Sequence, residues 1–83
     1  MRAIQISSNG GPEVLAVSDI PEPVGSDSDL IVDVVAAGVN FIDIYQREGL
    51  YPLPLPYTPG LEGAGVVRSV GSAVTQFSPG DRV

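Results

Sequence analysis

One stretch decides most of what this chain can fold into. Residues 30–37 are apolar and centred on Ile31-Val32-Asp33-Val34-Val35, a β-branched run that suits a pleated strand surface. The stretch continues through Gly38-Val39 into Asn40-Phe41-Ile42-Asp43-Ile44-Tyr45. It then passes Gly49-Leu50-Tyr51-Pro52 and ends in Pro59-Gly60-Leu61-Glu62-Gly63-Ala64-Gly65-Val66-Val67. A strand, a short helix, a proline-rich loop and a glycine-rich strand therefore follow in that order. The helix is expected over residues 40–48. Asn40 can cap the free amides of its first turn. Asp43 puts a negative charge where the helix dipole favours one, and Gly49 suits the position just past the end. Phe41, Ile44 and Tyr45 follow helical spacing and are expected to share an apolar face. Residues 51–59 contain four prolines, which deny ladder donors and make the segment irregular.

The flanks are strand-like. Residues 2–7 alternate, with Ile4 and Ile6 on one face, as a half-buried strand does. Asn9-Gly10-Gly11-Pro12 reads as a turn, since Asn-Gly is a strong hairpin signal, and Val14-Leu15-Ala16-Val17 reads as the strand after it. Residues 21–29 carry prolines and short polar side chains and are expected to form a surface loop. Residues 63–70 form another strand and residues 73–77 an extended connector. Ser78-Pro79-Gly80-Asp81 is a tight turn, with Pro and Gly placed as in type II. Arg82-Val83 then begins a strand, so the stop at Val83 reads as a truncated chain. Strands dominate between Gly/Pro breaks, which points to a mainly β fold, a partly open β-barrel with one short helix.

At 83 residues the chain makes one domain at most, with marginal stability of its own. The net charge is −6, with four arginines and no lysine, which argues against nucleic acid or an anionic membrane surface as a partner. No apolar run reaches the roughly 18–20 residues of a membrane span, and the polar Ser7-Ser8-Asn9-Gly10-Gly11 segment interrupts any signal-peptide pattern. A cytoplasmic protein is the default expectation.

Histidine and cysteine are both absent. Ser-His and Cys-His nucleophilic arrangements are thereby excluded, and so are the common zinc sites. Gly60-x-x-Gly63-x-Gly65 has the composition of a dinucleotide fingerprint but the reverse spacing, and it precedes a strand instead of opening a helix. Its glycines are expected to permit a bulge or a close backbone approach. Glu62, among small and apolar neighbours, is expected to be partly buried and to need a partner, for which Arg68 and Arg47 are the candidates.

Taken together, these motifs resemble the N-terminal catalytic domain of the medium-chain dehydrogenase/reductase superfamily, and in detail its zinc-free quinone oxidoreductase (zeta-crystallin-like) branch. Met1-Arg2-Ala3-Ile4, Gly10-Gly11-Pro12-Glu13-Val14-Leu15 and Gly80-Asp81-Arg82-Val83 fit the same pattern, so the resemblance spans essentially the whole of residues 1–83. It implies a GroES-like fold, with the Rossmann cofactor domain outside this chain. The zinc enzymes of the superfamily carry Gly-His-Glu where this chain has Gly60-Leu61-Glu62, and a cysteine ligand near Val39-Asn40. Neither ligand is present, so no metal is expected.

The resemblance further implies that Asn40, Phe41, Ile42, Asp43 and Tyr45 line a cleft near the nicotinamide end of NADPH. Asn40, Tyr45 and Tyr51 are then the residues at the reacting quinone. The family commonly has Thr where this chain has Ile44, so no hydroxyl is available there. The implied activity of the full-length protein is NADPH-dependent reduction of a quinone, or of another small electron-accepting carbonyl, with the isolated fragment inactive. A homodimer is left open for the full-length form. Two alternatives stand beside it: a zinc-free enone or enoyl-thioester reductase of the same superfamily, and a non-catalytic GroES-like interaction module. Each candidate residue also has an ordinary structural role: Asn40 as a cap, Asp43 as a first-turn carboxylate, Tyr45 as packing.

Overall fold

The computed structural model describes residues 1–83. The chain is mainly β with a single α-helix and no closed barrel. Its elements in order are β1 (Arg2–Gln5), a 3-10 turn (Pro12–Val14), β2 (Ala16–Asp19), β3 (Leu30–Ala36), α1 (Phe41–Glu48) and β4 (Ala64–Val70). They group into two compact units. One comprises Met1–Pro21 and Gly38–Leu61, the other Glu22–Ala37 and Glu62–Val83.

In the first unit β1 pairs antiparallel with β2, with Arg2 opposite Asp19 and Gln5 opposite Ala16. The terminal ammonium of Met1 donates to the Ile20 carbonyl at 2.8 Å and closes the end of the ladder. The connection differs from the expected hairpin. Pro12 opens a 3-10 turn that takes in Val14, and β2 starts only at Ala16. Proline's fixed φ and missing N–H favour the first position of a helical turn. The Glu13 carboxylate accepts from the Gly11 amide at 3.1 Å, so local chemistry removes Val14 and Leu15 from the strand. The core of this unit is Ile6, which is fully buried. Ile6 exchanges both backbone hydrogen bonds with Tyr57, at 2.9 and 3.0 Å, and so anchors the proline-rich loop.

In the second unit β3 pairs antiparallel with β4, with register shifts at Ile31/Val32 and Val34/Ala36. Gly65 lies opposite Val34, at the second shift. A Cβ on Gly65 would run into the Asp33 carbonyl, so the strands approach as closely as they do because this residue has no side chain. Val67 is the buried apolar centre. The turn at residues 78–81 is type II as expected. The Asp81 amide donates to the Ser78 carbonyl at 3.1 Å and Gly80 has φ +94°. It delivers Arg82-Val83 back onto β4, where Val83 and Gly65 exchange backbone hydrogen bonds at 2.9 and 3.0 Å.

The expected burial of Glu62 is corrected. Glu62 is exposed, and Arg68 is held by other carboxylates. It donates to Asp33 through Nε at 2.8 Å and to Glu22 through Nη1 at 2.9 Å. These bonds, that to Asp33 first, raise the Arg68 pKa further above its usual value. Arg47 is likewise engaged elsewhere, its Nε donating to the Gly10 carbonyl at 3.1 Å. No helix is long and apolar enough to cross a membrane.

Candidate functional site

All the sequence-predicted site residues lie in the first unit, on α1 and the segment that follows it. The helix begins where Asn40 predicts. Asn40 is extended at φ −120°, ψ 157°, and forms a capping box with Asp43. The Asn40 amide donates to Asp43 Oδ2 at 2.8 Å, and the Asp43 amide donates to the Asn40 carbonyl at 3.0 Å. Donors with no partner inside the helix are thereby satisfied.

The helix ends at Gly49, which is left-handed at φ 89°, ψ 9°. A Cβ on Gly49 would come within 2.8 Å of Asn9 Nδ2, so the left-handed geometry favours glycine here and any side chain would have to displace the Asn9 amide. The reversal has a direct consequence. The Leu50 and Tyr51 amides both donate to the Tyr45 carbonyl, at 2.9 and 3.4 Å. Tyr51 is thus folded back beside Tyr45. Their ring centroids are 5.9 Å apart and the planes meet at 79°, an edge-to-face arrangement that aromatic quadrupoles favour.

Phe41 does not share the packed face expected for it. The half-buried positions of α1 include Asp43, Ile44, Gln46 and Arg47, whereas Phe41 is 79% exposed and Tyr45 39%. Phe41 and Tyr45 stand four residues apart on the outward side, and Tyr51 is 53% exposed beside them. Ile42 is on the exposed side as well, at 36%. Arg47 can pack inward because a distant segment satisfies it: its Nε donates to the Gly10 carbonyl, and the Gly10 amide donates back to the Arg47 carbonyl at 3.1 Å. The result is an aromatic surface supported by a short helix capped at both ends. Such a surface can lie against a flat ring and offer phenolic hydroxyls as hydrogen-bond donors.

Sequence reasoning missed Tyr57. It sits in the proline-rich segment and pairs with Ile6, yet its hydroxyl is buried without a partner, as is Asp43 Oδ1. Burial raises the Tyr57 pKa, the Asp43 charge raises it further, and Arg47 opposes the shift. The available signal was Asp43 and Arg47 one turn apart on the same helix. No group of three or more His, Cys, Asp or Glu side chains is placed to hold a metal ion. The second unit has a depression of about 310 Å³ lined by Ser28, Leu30, Ala73, Val74, Thr75, Gln76 and Phe77. It contains none of the site residues.

Residues 26–83 match the family profile of the alcohol dehydrogenase GroES-like domain. Among curated proteins, the chain is 48% identical over its full length to a quinone oxidoreductase of Lama guanicoe, and 49% identical over 99% of its length to one of Pseudomonas aeruginosa. Among solved structures it is similar to the Escherichia coli quinone oxidoreductase complexed with NADPH. That match has a TM-score of 0.94 and 42% identity over 99% of this chain. In each comparison the chain spans about a quarter of the relative, 26% of its length.

Proposed function

The chain belongs to the alcohol dehydrogenase GroES-like domain family, and from that premise we propose that it is the N-terminal catalytic-domain portion of an NADPH-dependent quinone oxidoreductase that works without a metal. The observation that carries this reading is the exposed edge-to-face pair formed by Tyr45, on the helix that starts at the Asn40–Asp43 cap, and Tyr51, just past the end of that helix. The whole-chain similarity to quinone oxidoreductases supports it. The same reading takes the protein to be cytoplasmic. Its partner is a quinone or another small electron-accepting carbonyl, and neither nucleic acid nor a membrane surface is involved.

The residues present fit one end of the cofactor and not the other. Phe41, Tyr45 and Tyr51 offer exposed ring faces and edges, which suit a nicotinamide or a quinone. Phosphates would need cations, yet the chain has no lysine; Arg47 and Arg68 are engaged with Gly10, Glu48, Asp33 and Glu22, and the other two arginines are off α1, Arg2 on β1 and Arg82 in the second unit. Asn40, Phe41, Ile42, Asp43 and Tyr45 would therefore border the nicotinamide, and the phosphates would be held elsewhere. When bound, a reduced nicotinamide supplies the reducing equivalents. Tyr45 and Tyr51 orient the flat acceptor by ring contact. A phenolic hydroxyl donates a hydrogen bond to the acceptor oxygen as charge develops there. Asn40, through the cap, fixes the start of the helix that carries Tyr45.

Quinone-dependent oxidation of NADPH by the whole protein tests the proposal, followed by nicotinamide absorbance with and without a chelator. Turnover that survives chelation is expected. Residues 1–83 alone should bind NADPH no tighter than about millimolar. Absence of quinone-dependent oxidation, or a stoichiometric zinc whose removal abolishes it, overturns the reading.

A further inference from the structure

Asn9 is followed by Gly10, and the pair lies in an irregular connection between two fixed points. On one side Ile6, fully buried, exchanges two backbone hydrogen bonds with Tyr57. On the other, Gly10 is clasped to the last turn of α1. Its amide donates to the Arg47 carbonyl at 3.1 Å, and its carbonyl accepts from Arg47 Nε, also at 3.1 Å. Asn9 itself is exposed. Its side-chain amide lies against Gly49 at the end of the helix, where an added Cβ would approach Nδ2 to 2.8 Å.

Asparagine is a thermolabile residue, and the reason is local. The backbone nitrogen of the following residue can attack the side-chain carbonyl carbon. A Cβ on that residue hinders the approach, and glycine has none. In the attack Gly10 N forms a bond to Asn9 Cγ, the Cγ–Nδ2 bond breaks, and ammonia leaves with the amide proton. Water then opens the cyclic imide at either carbonyl, giving aspartate or isoaspartate at position 9. No oxidant or reductant takes part. The nitrogen that must attack is the one that donates to the Arg47 carbonyl. While it holds its proton in that bond it is a poor nucleophile, so the reaction waits for the clasp to open locally.

We propose that Asn9-Gly10 is a self-modification site held closed by the Gly10–Arg47 clasp, and that isoaspartate formation there releases the clasp irreversibly. Isoaspartate routes the main chain through the side-chain carbons and so lengthens it by a bond. The extra length falls between Ile6 and Gly10, both of which are held, so the Gly10 amide and carbonyl no longer both meet Arg47. Either product also adds a negative charge near the end of α1, which the helix dipole disfavours. Asn9→Asp carries that charge without the added length and separates the two effects.

The test needs neither quinone nor cofactor, so its failure is separate from failure of the functional reading. The whole protein is incubated in mildly alkaline buffer, folded or in guanidinium. Deamidation is read by mass spectrometry on the tryptic peptide from Ala3 to Arg47, in which fragmentation separates Asn9 from Asn40. Asn40 precedes the bulky Phe41 and is the internal reference, so Asn9 should be the faster of the two in guanidinium. In the folded protein Asn9 should react at least about tenfold more slowly than in guanidinium. Arg47→Met keeps the side-chain stem, loses the Nε donor, and should raise the folded-state rate about fivefold. The isoaspartate form, separated by chromatography, should exchange its Gly10 amide at least about tenfold faster than the unmodified protein. Asn9→Asp should exchange that amide more slowly than the isoaspartate form. Equal Asn9 rates in the folded and unfolded protein overturn the proposal, a result that depends on no variant folding. So does a folded Arg47→Met that deamidates no faster, or a Gly10 amide still protected in the isoaspartate form.

Discussion

Gly49→Ala is the substitution that most directly tests how α1 and the tyrosine pair depend on one another. Gly49 has φ +89°, where an L-residue with a Cβ costs roughly 1–2 kcal/mol. The new Cβ would also lie 2.8 Å from Asn9 Nδ2 and 3.0 Å from Asn9 Cγ. Nδ2 is the end of a flexible side chain, so Asn9 can rotate, at about 0.5–1.5 kcal/mol if it leaves its rotamer. Together the loss should be about 2 kcal/mol, roughly a thirtyfold change in the local folding equilibrium.

Two further variants separate the terms. Gly49→Asn keeps the contact but tolerates the left-handed backbone better, so it should lose less than Gly49→Ala. Adding Asn9→Gly to Gly49→Ala should recover the contact term alone, read from a double-mutant cycle. Hydrogen exchange at the Leu50 and Tyr51 amides reports the local effect, because both donate to the Tyr45 carbonyl. Near-ultraviolet circular dichroism reports the tyrosine pair. A loss below about 0.5 kcal/mol, or a tyrosine signal unchanged while those amides exchange freely, would refute the argument that Gly49 is what folds Tyr51 onto Tyr45.

Gly65→Ala should be far more damaging, because its Cβ meets the Asp33 carbonyl, which is backbone and cannot rotate away. A loss above about 4 kcal/mol is expected, read as collapse of β3–β4 amide protection, and a mild effect would mean that the ladder slides to make room. On the proposed function, Tyr45→Phe in the whole protein should lower kcat and kcat/KM together, by roughly ten- to a hundredfold, if its hydroxyl acts mainly in the transition state. Tolerance of Phe with a raised KM for Ala would assign Tyr45 to stacking alone, and no change in either variant would remove it from the site. The turn at residues 26–29 should be acid-sensitive. The Ser26 amide donates to Asp29 Oδ2 at 2.9 Å and lowers the Asp29 pKa, with the Ser26 side chain adding to the shift. A carboxylate whose folded pKa lies below its unfolded value contributes fully above the unfolded pKa, near 3.9, and loses that contribution as pH falls through the folded one. Exchange at the Ser26 amide should therefore accelerate in that acid range in the native chain but be independent of pH there, beyond the intrinsic rate, in Asp29→Asn.

What could be read from the sequence was what neighbouring residues decide among themselves. Asn40 and Asp43, three residues apart, predict the capping box, and Gly49 predicts the left-handed end. Ser78-Pro79-Gly80-Asp81 predicts the turn whose closing bond is present. Where a residue's fate depended on a distant segment, the local pattern misled. Arg68 found Glu22 and Asp33, far off in sequence, instead of nearby Glu62. Phe41 fitted an apolar helical stripe, yet the inward side of α1 includes Asp43 and Arg47. Arg47 can lie there because the Gly10 carbonyl satisfies it, a contact no spacing rule contains. That inversion bears on function. A helix that turned Phe41 and Tyr45 inward would leave no aromatic surface to meet a ligand. Packing a carboxylate and a guanidinium on the inner side is thus what leaves the aromatic residues of α1 facing outward.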